Sequence, residues 1–190
     1  MKKSIIFLAL LLTLGFSSDL SKYVDGSTIS IGKSRDGIKI YRIGLRKDFK
    51  NRYLESKYGY LSGYYELTFN YWKGKTNHNK RNYGIALSPV FNYYFNLGTI
   101  KPYLEAGVGV SLFKNKWIDN RNMSTNFLFE DRLGAGVRVG NFDFSFRYMH
   151  YSNASIKAPN DGIDIWIGSI AYKFWYNSTL NILKEQKWEL

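Results

Sequence analysis

Apolar and polar residues alternate with a period of two along most of this chain. From Asn82 to Phe95, large apolar side chains occupy the odd positions, and the even positions are mostly small or polar; Leu61 to Trp72 repeats the pattern. Successive side chains of a β-strand point to opposite faces, so the alternation predicts strands with one apolar face. The eight runs of this kind lie at 27–34, 38–49, 61–72, 82–95, 101–113, 127–139, 142–152 and 163–174.

The connections between these runs are of two kinds. Residues 96–99 and 140–141 are short and contain Gly or Asn, as β-hairpin turns do. The longer, polar connections are 73–81, 114–126 and 153–162. Short turns at one end and long loops at the other are typical of outer-membrane barrels, whose closure removes exposed strand edges. Residues 50–60 depart from the pattern, since a short turn is expected there.

The sequence therefore predicts an all-β fold, an eight-stranded antiparallel transmembrane β-barrel over residues 18–174. The high aromatic content, 18%, suits strands and membrane interfaces. After the N-terminal segment no run approaches the roughly 18 apolar residues of a membrane-spanning helix. The competing fold is a soluble lipocalin-like barrel with its apolar face inside, around a ligand. Bulky aromatics on one face and charges and glycines on the other favour lipid outside.

The polar face carries many charged residues, which we expect to form ion pairs inside the barrel because an unpaired buried charge is costly. These residues are Arg42, Arg46, Glu66, Lys101, Glu105, Glu130, Arg132, Arg138 and Arg147. Asp131 instead falls in the row of alternate positions that face lipid. This placement implies either a position at the membrane boundary or a bulge that shifts the register.

The two ends of the chain lie outside the predicted barrel. Lys2 and Lys3 precede an apolar run from Ile5 to Leu14, followed by small residues, which predicts a secretory signal peptide at 1–17. A retained membrane anchor is the alternative. Residues 175–190 form a C-terminal extension, either a short helix or a disordered tail, to which we assign no function.

Charge and cysteine usage restrict the partners. The net charge is +12, and an exported basic protein meets anionic surfaces such as lipid phosphates. The chain has no cysteine, so no disulfide supplies stability. It also has no Cys/His cluster of the kind that binds zinc, so we expect no metal site.

One polar segment, HYSNASIKAPNDGID from His150 to Asp164, contains groups suited to nucleophilic catalysis. His150 and Ser152 continue an outward-facing row, and Asp164 lies on the outward face of the next run. Antiparallel pairing brings these three residues together at the rim with the long loops. A serine nucleophile needs a base, and the base needs a third group that fixes its tautomer.

Further groups in this segment suit an oxyanion hole. The side-chain amide of Asn160 and a backbone N–H at Ser155 or its neighbours offer donors for a developing oxyanion. Spacing alone, however, favours an ordinary polar strand end followed by a turn at residues 159–162.

Three segments carry a resemblance to a known family: TIKPYLEAGVGVSLF, NFLFEDRLGAGVRVG and RYMHYSNASIKAPNDGID. Over roughly residues 38–174 the chain resembles the PagL family of outer-membrane lipid A 3-O-deacylases. The resemblance implies an eight-stranded barrel in the bacterial outer membrane. It also implies hydrolysis of the ester-linked acyl chain at position 3 of lipid A, without metal or cofactor.

The resemblance also implies residue roles. His150 matches the general base and Ser152 the nucleophile, while Asp164 stands where the family usually has glutamate. Asn160 matches the oxyanion-hole asparagine, and Ser155 stands where a glycine often supplies a backbone donor. Asn153 is a further polar group close to the site and a third candidate for the oxyanion hole.

The expected partners are lipid A or lipopolysaccharide and the outer-membrane lipids, with no nucleic acid. We expect a monomer, with a homodimer as the alternative. The loop that contains His78 is either a solvated loop or a binding surface for lipopolysaccharide phosphates. Its cations are Lys73, Lys75, Lys80 and Arg81. Two other functions remain open: a non-catalytic structural or adhesive barrel, and a lipid A acyltransferase.

Overall fold

The structure, a computed structural model, describes residues 23–76 and 79–174. The expected signal peptide at 1–17, His78 and the extension at 175–190 lie outside the described residues. Among those described, no helix is long and apolar enough to cross a membrane. The strands are β1 (Gly26–Ser34), β2 (Lys39–Asp48), β3 (Gly59–Lys73), β4 (Arg81–Phe95), β5 (Ile100–Phe113), β6 (Trp117–Ile118), β7 (Arg121–Asn122), β8 (Phe127–Val139), β9 (Phe142–Ser152) and β10 (Ile163–Lys173).

Eight of these strands close into one barrel, in the order β1-β10-β9-β8-β5-β4-β3-β2. All neighbouring strands of the barrel are antiparallel, including β1 and β10, the first and last strands, whose pairing closes the barrel. The predicted eight-stranded antiparallel barrel is confirmed. Each predicted run agrees with an observed strand to within two residues at either end.

The two faces of the barrel wall are arranged for a membrane. Large apolar side chains of the outward rows are exposed, among them Phe69, Phe146 and Trp166. The inward rows carry buried polar and charged groups; Arg42 and Glu130 are 2% and 0% exposed. This arrangement excludes the lipocalin-like alternative, because an apolar face turned outward needs lipid to cover it.

Most of the interior charges form ion pairs, as expected, whereas the ammonium of Lys101 lies 5.9 Å from the ring centroid of Tyr60. Glu130 bonds to Arg42 at 2.9 Å and also contacts Arg132. Glu66 lies 2.8 Å from Arg132, and Glu105 lies 2.9 Å from Arg147. These ion pairs lie inside the barrel, whose eight strands leave an interior just wide enough for side chains.

The long connection at 49–58 extends the strand ladder. Tyr53 and Leu61 exchange backbone hydrogen bonds of 2.8 and 2.7 Å, and the N–H of Phe49 donates to the carbonyl of Gly63 at 2.9 Å. The segment therefore continues to pair with the start of β3, and this pairing accounts for its length. At the opposite end, the connection at 114–126 contains the β6–β7 hairpin, which the alternation pattern does not predict.

Candidate active site

The last residues of β9 and the first of β10 bring the polar residues of the segment His150 to Asp164 together. His150 pairs directly with Asp164 across the two strands. Ser152 follows His150 on the same outward row, two residues further along β9. These residues lie at the end of the barrel that carries the long loops, which in outer-membrane barrels is the extracellular rim.

The imidazole of His150 is held by the carboxylate of Asp164. The two groups contact each other through Nδ1 and Oδ1 at 2.6 Å. An ionised carboxylate has no proton to give, so Nδ1 donates and carries the hydrogen. The other ring nitrogen, Nε2, is then an acceptor, which is the tautomer that a general base requires.

The Ser152 hydroxyl lies on the same face of the wall as the imidazole. It accepts a hydrogen bond from the N–H of Ala154 at 3.4 Å. Between the described residues Ser152 and His150 themselves there is no hydrogen bond, since neighbours on one strand face are separated by about 6.6 Å along the strand. In hydrolases such bonds often tighten only when substrate is bound.

Two other side chains adjoin the His150–Asp164 pair. Asp131 of β8 pairs with His150 on the side opposite Asp164. The pairing of β8 with β9 runs without a bulge from Phe129 onward, so the structure places Asp131 on the outward face beside the rim. The hydroxyl of Tyr148 lies close enough to the Asp164 carboxylate to interact with it electrostatically.

The loop after β9 places two asparagines behind the site. The side chain of Asn160 is half-buried, and its Oδ1 accepts the backbone N–H of Asn153 at 3.1 Å. This contact leaves the Asn160 amide nitrogen as the group able to donate. Asn153 is buried and donates both amide hydrogens, to the carbonyls of Met123 and Lys157, each at 2.7 Å. Its side chain therefore holds the loop and is not a free oxyanion donor, which corrects the role expected for it.

A tight turn follows Asn153. Ala154 and Ser155 both have positive φ, +51° and +63°, and the N–H of Ile156 donates to the carbonyl of Asn153 at 3.1 Å. Two successive positive φ values are typical of a type I′ turn, which favours glycine at its second central position. Ser155 is exposed, and no described residue accepts its backbone N–H.

A brace on this loop, formed by Arg121 and Asn122, was not predicted from the sequence. Arg121, at the start of β7, donates to the carbonyls of Gly162 at 3.0 Å and Asp161 at 3.3 Å, and also pairs with Asp36. The N–H of Asn122 donates to the Asp161 carboxylate at 2.6 Å. The only signal in the sequence was the Asp119-Asn120 dipeptide, a turn-forming pair that indicates a hairpin.

Gly162, whose carbonyl accepts a hydrogen bond from Arg121, lies beside the imidazole of His150. A Cβ added to Gly162 would lie 3.1 Å from Cε1 of His150, and Gly162 has a φ of +56°. A side chain at this position would press on the ring and strain the backbone. Glycine therefore lets the braced loop approach His150 closely.

The four cations expected near the substrate lie elsewhere on the rim. Lys73 and Arg81 pair at the ends of β3 and β4, with the exposed Lys75 and Lys80 between them. Their strands are three or four positions around the eight-stranded barrel from β9 and β10. The structure thus places them at the same end as the site but on the opposite wall. In the described part of the chain, no group of three or more His, Cys, Asp or Glu residues could hold a metal ion.

Comparisons with known proteins agree with this arrangement. The family model "Lipid A 3-O-deacylase (PagL)" matches residues 39–173. Lipid A deacylase PagL of Pseudomonas aeruginosa is 33% identical over 172 residues, covering 90% of this chain and 98% of that protein. Its namesake from Bordetella bronchiseptica is 36% identical over 78 residues, covering 38% and 41% of the two chains.

A solved structure extends the similarity to three dimensions. The crystal structure of the outer membrane enzyme PagL aligns with a TM-score of 0.75 and 32% identity, covering 78% of this chain and 99% of that one. The family model, which matches residues 39–173, includes seven of the eight barrel strands, all but β1, and so includes both strands that carry the His150–Asp164 pair. The chain is therefore a member of the lipid A 3-O-deacylase (PagL) family and a barrel of the bacterial outer membrane.

Proposed function

We propose that this protein hydrolyses the ester that links the acyl chain to position 3 of lipid A. Ser152 is the nucleophile, His150 the general base, and Asp164 the group that orients the imidazole. The observation that carries the proposal is the 2.6 Å contact between His150 Nδ1 and Asp164, on the same outward face as Ser152. Family membership supports the substrate class.

The reaction proceeds in two steps. His150 Nε2 takes the proton of Ser152 Oγ as this oxygen attacks the ester carbonyl, and the carbonyl oxygen becomes an oxyanion. The Asn160 amide and the backbone N–H of Ser155 donate to that oxygen. When the intermediate collapses, the ester C–O bond breaks and His150 protonates the leaving sugar hydroxyl. Water, deprotonated by His150, then attacks the acyl-enzyme and releases the fatty acid and Ser152.

The outward position of the site suits a lipid substrate. The acyl chains of lipid A already lie in the outer leaflet, beside the apolar wall of β9 and β10. The ester thus reaches Ser152 by diffusion within the membrane, and nothing has to enter the ion-paired lumen. All the proposed groups come from one chain, so a monomer suffices, and the reaction requires no cofactor.

The test is mass spectrometry of lipid A from cells that express the protein. Active protein should remove the mass of one 3-hydroxyacyl group, and Ser152→Ala and His150→Ala should leave lipid A intact. Ser62→Ala is the matched control, because Ser62 lies at the opposite end of the barrel and donates to a backbone carbonyl. Barrel assembly is verified by the electrophoretic mobility shift between unheated and heated samples.

The same spectra separate the other two functions. A lipid A acyltransferase would add mass, and a structural or adhesive barrel would leave lipid A unchanged by the parent protein. Continued deacylation by folded Ser152→Ala protein would overturn the assignment of the nucleophile.

A further inference from the structure

Four cations of neighbouring strands form one row on the outward face of the rim. Lys33 of β1 pairs directly with Lys39 of β2, which pairs in turn with Lys73 of β3. Lys73 then pairs with Arg81 of β4. Each of the four is exposed and lies within one residue of the rim end of its strand. We call these four residues the cation row.

The positive charge of the cation row is not neutralised by the protein. In the part of the chain that the structure describes, no acid forms an ion pair with any member of the row, and the acids of the adjoining loops have other partners. Asp36 pairs with Arg121, and Asp119 accepts the backbone N–H of Thr76 at 2.8 Å. Like charges directly opposite each other destabilise a sheet, so an external anion on the row would stabilise it.

A second observation gives the depth of the cation row in the membrane. Tyr41, Tyr71 and Tyr83 pair with one another two residues along the same strands, toward the middle of the wall. The row that follows them is apolar and consists of Ile43, Phe69 and Ile85. Tyrosines on the outside of a barrel mark the border between hydrocarbon and headgroups. The cation row, about 6.6 Å further along the strands, therefore lies at the level of the headgroups.

The length and chemistry of the cation row suit a phosphorylated headgroup. Neighbouring strands lie about 4.8 Å apart, so the row is about 14 Å long and can contact more than one phosphate. Ammonium and guanidinium groups bind phosphate through charge-assisted hydrogen bonds. At this rim the outer leaflet supplies lipid A, whose sugars carry phosphate groups.

From these observations we propose that the cation row is a second lipid-binding surface, which binds the phosphate groups of a lipid A headgroup in the outer leaflet. It is separate from the candidate active site, because the row occupies β1 to β4 and the site lies on β9 and β10. The inference goes beyond the proposed function and does not depend on it, since binding requires no hydrolysis. The row begins where Lys33 pairs with Trp166, so the bound headgroup covers the wall next to β10.

The test is a competition between two lipids for the purified protein in detergent micelles. Both are lipid A that already lacks the 3-O-acyl chain, one with its phosphates and one with the phosphates removed. Native mass spectrometry gives the ratio of the two lipids retained by the folded barrel. The parent protein should retain mainly the phosphorylated lipid, and an equal concentration of inorganic phosphate should not displace it.

The central variant of the cation row is Lys39→Gln/Lys73→Gln, which removes two adjacent charges. It should lower the ratio of phosphorylated to dephosphorylated lipid about ten-fold or more. Lys39→Arg/Lys73→Arg keeps both charges and should keep the ratio. The matched control is Lys50→Gln/Lys57→Gln, which removes the same net charge from exposed positions at the opposite end of the barrel. It should leave the ratio unchanged.

Four outcomes overturn the inference. Equal retention of both lipids by the parent protein means that phosphate is not recognised, and an unchanged ratio in Lys39→Gln/Lys73→Gln means that it is held elsewhere. An equal fall in the control means that net charge alone attracts the lipid. Displacement by inorganic phosphate means that the row binds free anions and not a headgroup. Failure of the proposed function is distinguishable, because it appears in fatty acid release and leaves this ratio unaffected.

Discussion

His150 and Asp164 face each other across neighbouring antiparallel strands, with Nδ1 of the imidazole 2.6 Å from a carboxylate oxygen. Neither residue depends on a flexible loop for its position, because the pairing of β9 with β10 sets their separation. In the proposed mechanism this contact fixes the tautomer and stabilises the imidazolium that forms when Ser152 loses its proton.

The first prediction concerns the charge of Asp164. Asp164→Asn keeps the size of the side chain but removes the charge and favours the wrong imidazole tautomer, so kcat should fall about 10³- to 10⁴-fold. Asp164→Glu should retain activity, because it keeps the carboxylate and adds one flexible methylene. Both variants are compared by fatty acid release from purified lipid A. Glu55→Gln, an exposed change in the 49–58 connection at the opposite end, is the control.

A fall of less than about ten-fold in Asp164→Asn would show that the imidazole is oriented by another group. Asp131 is then the candidate, because it pairs with His150 from the β8 side. The double variant with Asp131→Asn would decide between the two carboxylates.

The second prediction concerns the brace on the loop. Arg121→Gln removes the donors to the carbonyls of Asp161 and Gly162, so the loop beside His150 should shift and kcat should fall by about ten-fold or more. Arg121→Lys keeps the positive charge but lacks the planar fork of donors, so it should rescue little of the loss. Full rescue by lysine would mean that Arg121 acts by charge alone. Arg35→Gln, an exposed change in the neighbouring β1–β2 turn, is the control.

The sequence predicts the strands because apolar and polar residues alternate with a period of two. The same alternation predicts that His150 and Ser152, two residues apart, point to one face of the wall. Antiparallel pairing of adjacent runs then brings Asp164 beside them. Both features are local, so neighbouring residues along the chain are enough to predict them.

The Arg121 brace and the pairing of the 49–58 connection depend on contacts that the alternation pattern does not contain. Arg121 bonds to carbonyls about 40 residues away, and nothing in its own surroundings in the sequence indicates that contact. Such features follow from register and loop packing, which the alternation pattern does not specify.

The third prediction concerns the interior. Glu130 accepts hydrogen bonds from Arg42, Ser88 and Tyr151, and it also pairs with Arg132. Glu130→Gln removes the charge that offsets two buried guanidinium groups, so the free energy of unfolding should fall by about 3–5 kcal/mol. The measurement is urea unfolding in detergent micelles, with Glu55→Gln as the exposed control. A loss below about 1 kcal/mol would mean that the remaining interior acids already balance these cations.

The fourth prediction concerns the turn at Ser155. Ser155 has a φ of +63°, a conformation that costs a non-glycine residue about 1 kcal/mol, so Ser155→Gly should relieve strain and keep the backbone N–H. In the proposed mechanism Ser155 acts on the oxyanion through its backbone N–H and not through its side chain, so Ser155→Gly should retain full kcat. Ser155→Val should lower kcat, because a β-branched residue disfavours positive φ and would displace the N–H. Both variants are assayed by fatty acid release. Loss of activity in Ser155→Gly would show instead that the serine hydroxyl takes part in the reaction.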